Sequence, residues 1–80
     1  MPVLVRIGPY RFLCYAIDRS EPPHVHVVRE RKKAKFWLDT VRLQSNSGFA
    51  EVELRKIQRI IEQNRTLLIE KWNDFFRTAN

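Results

Sequence analysis

Cysteine, glycine and long apolar runs are all scarce in this chain, and each scarcity excludes something. Cys14 is the single cysteine among 80 residues, so no intramolecular disulfide can form. One thiol behind an N-terminus without the apolar core of a secretion signal fits a reducing, cytoplasmic setting. No stretch approaches the ~20 apolar residues that a membrane span requires. Only two glycines are present, Gly8 and Gly48, and both sit at breaks in the hydrophobic pattern, leaving no glycine-rich phosphate loop. Internal repeats, low-complexity tracts and linkers are missing as well. The expectation is one soluble domain over 1–80, with a sheet portion over 1–48 and a helical portion over 49–80.

A chain of this size buries only about 60–65% of the surface it exposes when unfolded. Small scaffolds of this kind often gain stability from a metal or from self-association, so a homo-oligomer stays open. Fifteen Lys and Arg against nine Asp and Glu leave a net charge of +6. The excess lies in the first fifty residues and is densest at Arg29-Glu30-Arg31-Lys32-Lys33. Such a cluster suits an anionic partner such as RNA, DNA or an acidic protein; the competing reading is a solvated hairpin tip.

The hydrophobic period changes near Gly48. Val3 to Ile7 and Tyr10 to Ile17 read as strands joined at Gly8-Pro9. A tight hairpin there opposes Ile7 to Tyr10, Val5 to Phe12 and Val3 to Cys14 on one apolar face. Leu4, Arg6, Arg11, Leu13 and Tyr15 then fall on the other face. Pro22-Pro23 fixes an extended entry to a strand at His24. His24 to Val28 and Ala34 to Asp39 read as a second hairpin. Val25 and Val27 share an apolar face with Phe36 and Leu38 only if the loop has an even number of residues. His24 and His26 then stand on the opposite face beside Lys35, Trp37 and Asp39. Val41 to Gln44 reads as a short further strand, closed by the turn formers Ser45-Asn46-Ser47-Gly48.

Beyond Phe49, Leu54, Ile57, Ile61, Leu68, Trp72 and Phe75 keep nearly one helical phase, a stripe suited to covering a sheet. Asn64 is a poor mid-helix residue and a good cap, which favours two helices with a bend. The architecture expected is therefore α+β: a small antiparallel sheet of four or five strands in two hairpins, with one or two C-terminal helices packed on one face.

Several segments together resemble the bacterial domain of unknown function 4160 family. They are Glu21-Pro-Pro-His-Val-His-Val, Ala34-Lys-Phe-Trp-Leu-Asp, Asn46-Ser-Gly-Phe, Glu53-Leu-Arg-Lys-Ile, and Asn64-Arg through Trp72-Asn. The resemblance covers nearly the whole chain in order. It implies a short stand-alone protein encoded beside a second small protein of the domain of unknown function 2442 type, in a toxin–antitoxin-like pair. Where such proteins commonly carry Ser after Gly-Phe, this chain has Ala50, so Glu53 lacks the reciprocal partner of a capping box and Ser47 is the substitute cap.

His-x-His on a strand puts both imidazoles on one face, and three readings compete. In one, His24 and His26 are the catalytic acid and base of metal-independent RNA cleavage. Nucleic acid would be held by Arg11, Tyr15, Arg29, Arg31, Lys32, Lys33, Lys35 and Trp37 through charge and base stacking. In the second, the histidines begin a metal site, with Asp18, Glu21 or Asp39 as a third ligand. Cys14 is discounted as core-facing, and no cofactor is called for. In the third, the pair is structural, or belongs to a non-enzymatic surface for nucleic acid or a partner protein. No nucleophile elbow or metalloprotease helix is present, and the second helix is too apolar to lie in a DNA groove.

Overall fold

The computed structural model describes residues 3–78. Five strands run in a simple antiparallel meander, β1 (Val3–Ile7), β2 (Tyr10–Leu13), β3 (His24–Arg29), β4 (Lys32–Trp37) and β5 (Arg42–Ser47), ordered in space as in sequence. Two helices follow, α1 (Glu51–Gln63) and α2 (Arg65–Thr78). This is the α+β arrangement expected. Among the described residues, no helix is long and apolar enough to cross a membrane.

Two-residue loops close both hairpins. Gly8 opens the first at φ 57°, a left-handed conformation that a residue without Cβ adopts freely. It sets the expected pairs Val5 with Phe12 and Ile7 with Tyr10. The pairing of Val3 with Cys14 does not form. The register shifts between Val3 and Val5, so Val3 meets Leu13. This irregularity leaves Val3 37% exposed and packs Leu4 against the core instead of on the outer face.

In the second hairpin the loop is Glu30-Arg31, the even number that the apolar pattern demands. Val25 pairs with Phe36 and Val27 with Ala34, while His24 pairs with Trp37 and His26 with Lys35. The strands run deeper into the basic tip than expected, β4 starting at Lys32. β5 likewise runs through Ser45, Asn46 and Ser47, which pair with Lys35, Ala34 and Lys33. Residues expected to turn are in strand because the neighbouring strand offers them a ladder.

Tyr10, Phe12, Val25, Val27, Phe36 and Leu38 form the sheet side of the core, closed by Phe49, Ile57, Ile61 and Leu68. A second cluster joins Cys14 to Trp72 and Phe76, with Leu4 and Phe75 packed against it. Burial pushes the Cys14 thiol up to about 11, the behaviour of an inert core residue. Two helices form as expected, and Asn64 serves both, closing α1 and accepting from the Leu68 N–H at 2.9 Å at the start of α2. Its Nδ2 donates to the Ile60 carbonyl at 2.8 Å. The break resets the helical phase, so Phe76 is buried and Phe75 only half-buried. Arg65 then ties α2 to the end of β4, donating to the carbonyls of Leu38 (2.6 Å) and Asp39 (2.9 Å).

The start of α1 has no side-chain cap at Ala50. Asn46, not Ser47, organises the approach, exchanging two hydrogen bonds with the Phe49 backbone. Glu53, without a capping partner, reaches across to the sheet. It accepts from Tyr10 Oη (2.8 Å) and Arg29 (2.7 Å) and lies 3.7 Å from Lys32. The Tyr10 hydrogen bond leads in holding its carboxyl below the ordinary range.

Two substitutions test this packing by urea denaturation. Phe36→Ala removes a fully buried ring at the centre of the sheet and lowers stability by about 3–5 kcal/mol. Glu30 sits at φ 56°, where an L-residue is strained, so Glu30→Gly raises stability by up to about 1 kcal/mol.

Candidate functional site

Strand alternation sends His24, His26, Lys33, Lys35 and Trp37 to the face of the sheet away from the helices. What completes the site is a departure from the expected second strand. β2 stops at Leu13, and Ala16–Ser20 coils into a 3-10 turn. Asp18 holds that turn: the Tyr15 N–H donates to its Oδ2 at 2.8 Å, and its own N–H donates to the Tyr15 carbonyl at 2.9 Å. The turn carries the Asp18 carboxylate over the start of β3. Pro22-Pro23 then returns the chain to the sheet, where the Leu38 N–H donates to the Pro23 carbonyl at 3.0 Å.

Asp18 Oδ2 therefore lies 3.2 Å from His24 Nε2 and 3.0 Å from His26 Nε2. The Asp18 side chain is 7% exposed, that of His24 0% and that of His26 22%. His24 Nδ1 sits 2.9 Å from the Pro22 carbonyl oxygen. A carbonyl only accepts, so Nδ1 carries the hydrogen. His24 Nε2 is left buried without a hydrogen-bond partner despite its nearness to Asp18, a condition shared among the described residues only with Trp72 Nε1. Edge-to-face contacts fix the rings: His24 on His26 (5.1 Å), His24 on Trp37 (5.6 Å) and His26 on Tyr15 (4.7 Å).

Burial pulls His26 below the ordinary imidazole value, partly offset by the charge and hydrogen bond of Asp18. Burial acts to raise the Asp18 carboxyl, but the Tyr15 amide and the two imidazoles outweigh it, and the net shift is downward. Of the other acidic candidates, Glu21 is engaged by Lys35 at 2.6 Å and stands 3.8 Å from His24 Nδ1, the hydrogen-bearing side of the ring. Asp39 accepts from the Thr40 backbone. Only Asp18 joins both Nε2 atoms.

His26 opens onto a groove of about 230 Å³ whose walls include Tyr15, Lys33, Lys35, Ser45 and Ser47. A second hollow is lined by Pro22, Trp37, Asp39 and Arg42. Lys35 Nζ also lies 4.9 Å from the Trp37 ring centroid. The basic tip divides between the two faces. Lys33 is exposed on the outer side, and Arg31 is exposed in the loop. Arg29 and Lys32 turn to the helix side and pair with Glu53. Arg11, paired with Val28, stays on the outer face, half-buried. His24 has no exposed surface, whereas His26 borders the groove. Asp18 carried one sequence signal, a carboxylate in the break just before a rigid Pro-Pro-His.

A family model described as Domain of unknown function (DUF4160) matches residues 10–73, a span from β2 into α2 that contains the whole cluster. No curated protein and no solved structure matches the chain.

The two shifted groups give stability a defined pH dependence, measured by denaturation in chelated buffer. His26 has a lowered folded-state pKa, so the unfolded chain binds more protons between that value and the ordinary 6.5. Stability is full above 6.5 and falls as pH drops through that window. Asp18 is also lowered, so its contribution is present above the ordinary 3.8 and is lost as pH falls through the folded value. His26→Gln removes the upper phase and leaves the lower. Asp18→Ala strips the acceptor from Tyr15 and His26 and costs about 1–3 kcal/mol at neutral pH.

Proposed function

The chain belongs to the domain of unknown function family DUF4160, and we propose that it is an RNA-binding component of a cytoplasmic, toxin–antitoxin-like two-protein module. One observation carries the reading: on the helix-free face of the sheet, Lys33, Lys35 and Tyr15 line one groove, Trp37 lines a second hollow, and Arg11 stands on the same face paired with Val28. Cationic side chains follow a phosphate backbone, and half-exposed rings stack on bases without demanding a sequence. Ser45 and Ser47 add hydroxyl groups at the groove wall. Single-stranded RNA fits this surface better than a duplex, whose bases are already stacked.

Binding is favoured over metal-free cleavage because His24 is enclosed and its Nδ1 is committed to Pro22. The partner remains the second small protein that the sequence resemblance implies, and growth assays assign the roles. Arrest on expression of this chain alone, relieved by the neighbouring gene, makes it the toxin; relief in the opposite direction makes it the antidote.

Fluorescence anisotropy with a short single-stranded RNA at several salt concentrations tests the binding. Affinity falls with salt, and Lys33→Ala reduces the log–log slope by about 0.7, the contribution of one single-strand phosphate contact. Trp37→Ala weakens binding by about 1–3 kcal/mol. Lys32→Ala, on the helix face, leaves the slope unchanged. No binding at low salt, or equal effects of Lys32→Ala and Lys33→Ala, removes this face as the RNA surface.

A further inference from the structure

We propose that Asp18, His24 and His26 bind one divalent transition-metal ion of the zinc type, through Asp18 Oδ2 and the Nε2 atoms of both histidines. The proposal stands apart from RNA binding and survives or fails separately.

The first observation is geometric. The three donor atoms all lie within 4.8 Å of one another, with Asp18 Oδ2 3.2 Å and 3.0 Å from the two nitrogens. Zinc holds nitrogen and oxygen ligands at about 2.0–2.2 Å. Tetrahedral ligands at that radius stand about 3.3 Å apart; both distances from Asp18 Oδ2 already match this, and the two nitrogens, within 4.8 Å of each other, close toward one another on binding.

The second observation is chemical and independent of the distances. His24 is wholly buried, and its Nε2 has no hydrogen-bond partner. The Pro22 carbonyl fixes the hydrogen on Nδ1, so in the neutral ring the Nε2 lone pair confronts the Asp18 carboxylate. A bare acceptor buried against a second acceptor is unfavourable; a cation between them turns both into ligands. The arrangement around it is that of a metal-bound histidine, with the distal N–H donated to a backbone carbonyl and the carboxylate held by an amide, here Tyr15 N–H at 2.8 Å.

His26 needs one change to join. Without metal its Nε2–H donates to Asp18; on loading, the hydrogen moves to Nδ1 by exchange with solvent, with no change in oxidation state. Two imidazoles and one carboxylate suit zinc and its first-row neighbours and are a poor set for magnesium or calcium, which favour all-oxygen shells. Three protein ligands leave a position for water or a substrate oxygen, and His26 is the ligand that borders the groove.

The test uses the untagged full chain, stripped with chelator and titrated with Zn²⁺, Co²⁺ and, as control, Mg²⁺. The expected result is one Zn²⁺ or Co²⁺ per chain, a visible Co²⁺ spectrum of a four- or five-coordinate nitrogen–oxygen site, and no Mg²⁺ saturation. His26→Gln and Asp18→Asn each weaken Zn²⁺ binding by at least about tenfold. Because His24 is buried and its variants can fail to fold, the parent protein is also followed by ¹⁵N NMR. Zn²⁺ shifts the Nε2 resonances of both histidines while His24 Nδ1 keeps its hydrogen. The proposal is overturned by the absence of saturable binding, by binding that His26→Gln leaves intact, or by a His24 Nε2 that stays unmoved or carries a proton when Zn²⁺ is present.

Discussion

The parity of the β3–β4 loop governs the rest of the molecule. A strand changes face with every residue, so one residue more or less between Arg29 and Lys32 would exchange the faces of one strand relative to the other. With two residues in the loop, Val25, Val27, Ala34 and Phe36 meet the helices, while His24, His26, Lys35 and Trp37 stand opposite. The helices can cover only one side of a five-stranded sheet. The other is left to chemistry, and the strain at Glu30 is the local cost of keeping that register.

On that outer face the organising group is the Asp18 carboxylate. A single oxygen meets the Tyr15 amide, His26 and His24. It links the turn after β2 to the two histidines of β3. Burial of a charged group among nitrogen atoms is expensive unless the charges are matched. This site shows the requirement unevenly met: His26 is satisfied, while His24 Nε2 is not. The helix side handles a similar problem fully, with Glu53 answered by Tyr10, Arg29 and Lys32.

Much of the fold was legible because it depends on local periodicity. The tight first hairpin, the even parity of the second loop, the face of the histidines and the division at Asn64 follow from alternation, helical phase and turn chemistry. The misses share a different cause. Tyr15 to Ile17 alternate well enough to extend β2, but the Asp18 hydrogen bond to Tyr15 N–H offers the backbone an alternative to the ladder. Phe76 displaces Phe75 from the core because a helix break resets the phase, and the size of that reset is not encoded in the spacing. Ser45 to Ser47 form strand only because β4 is there to pair with. The split of the basic tip was hidden for the same reason: Arg29 and Lys32 find Glu53 only once the helix lies across the sheet. In the site, the histidine pair was visible as a motif, whereas its third member, Asp18, was one of three candidate carboxylates with Glu21 and Asp39, and only the 3-10 turn after β2 singles it out.

The central claim is that this outer face is a working site organised by Asp18, not a polar staple between a turn and a strand. Anomalous diffraction from a crystal grown with zinc, recorded above and below the zinc absorption edge, tests it most directly. The account predicts one anomalous peak within bonding distance of Asp18 Oδ2 and of Nε2 on both His24 and His26. An empty position there, with Asp18 hydrogen-bonded to both rings, would contradict it.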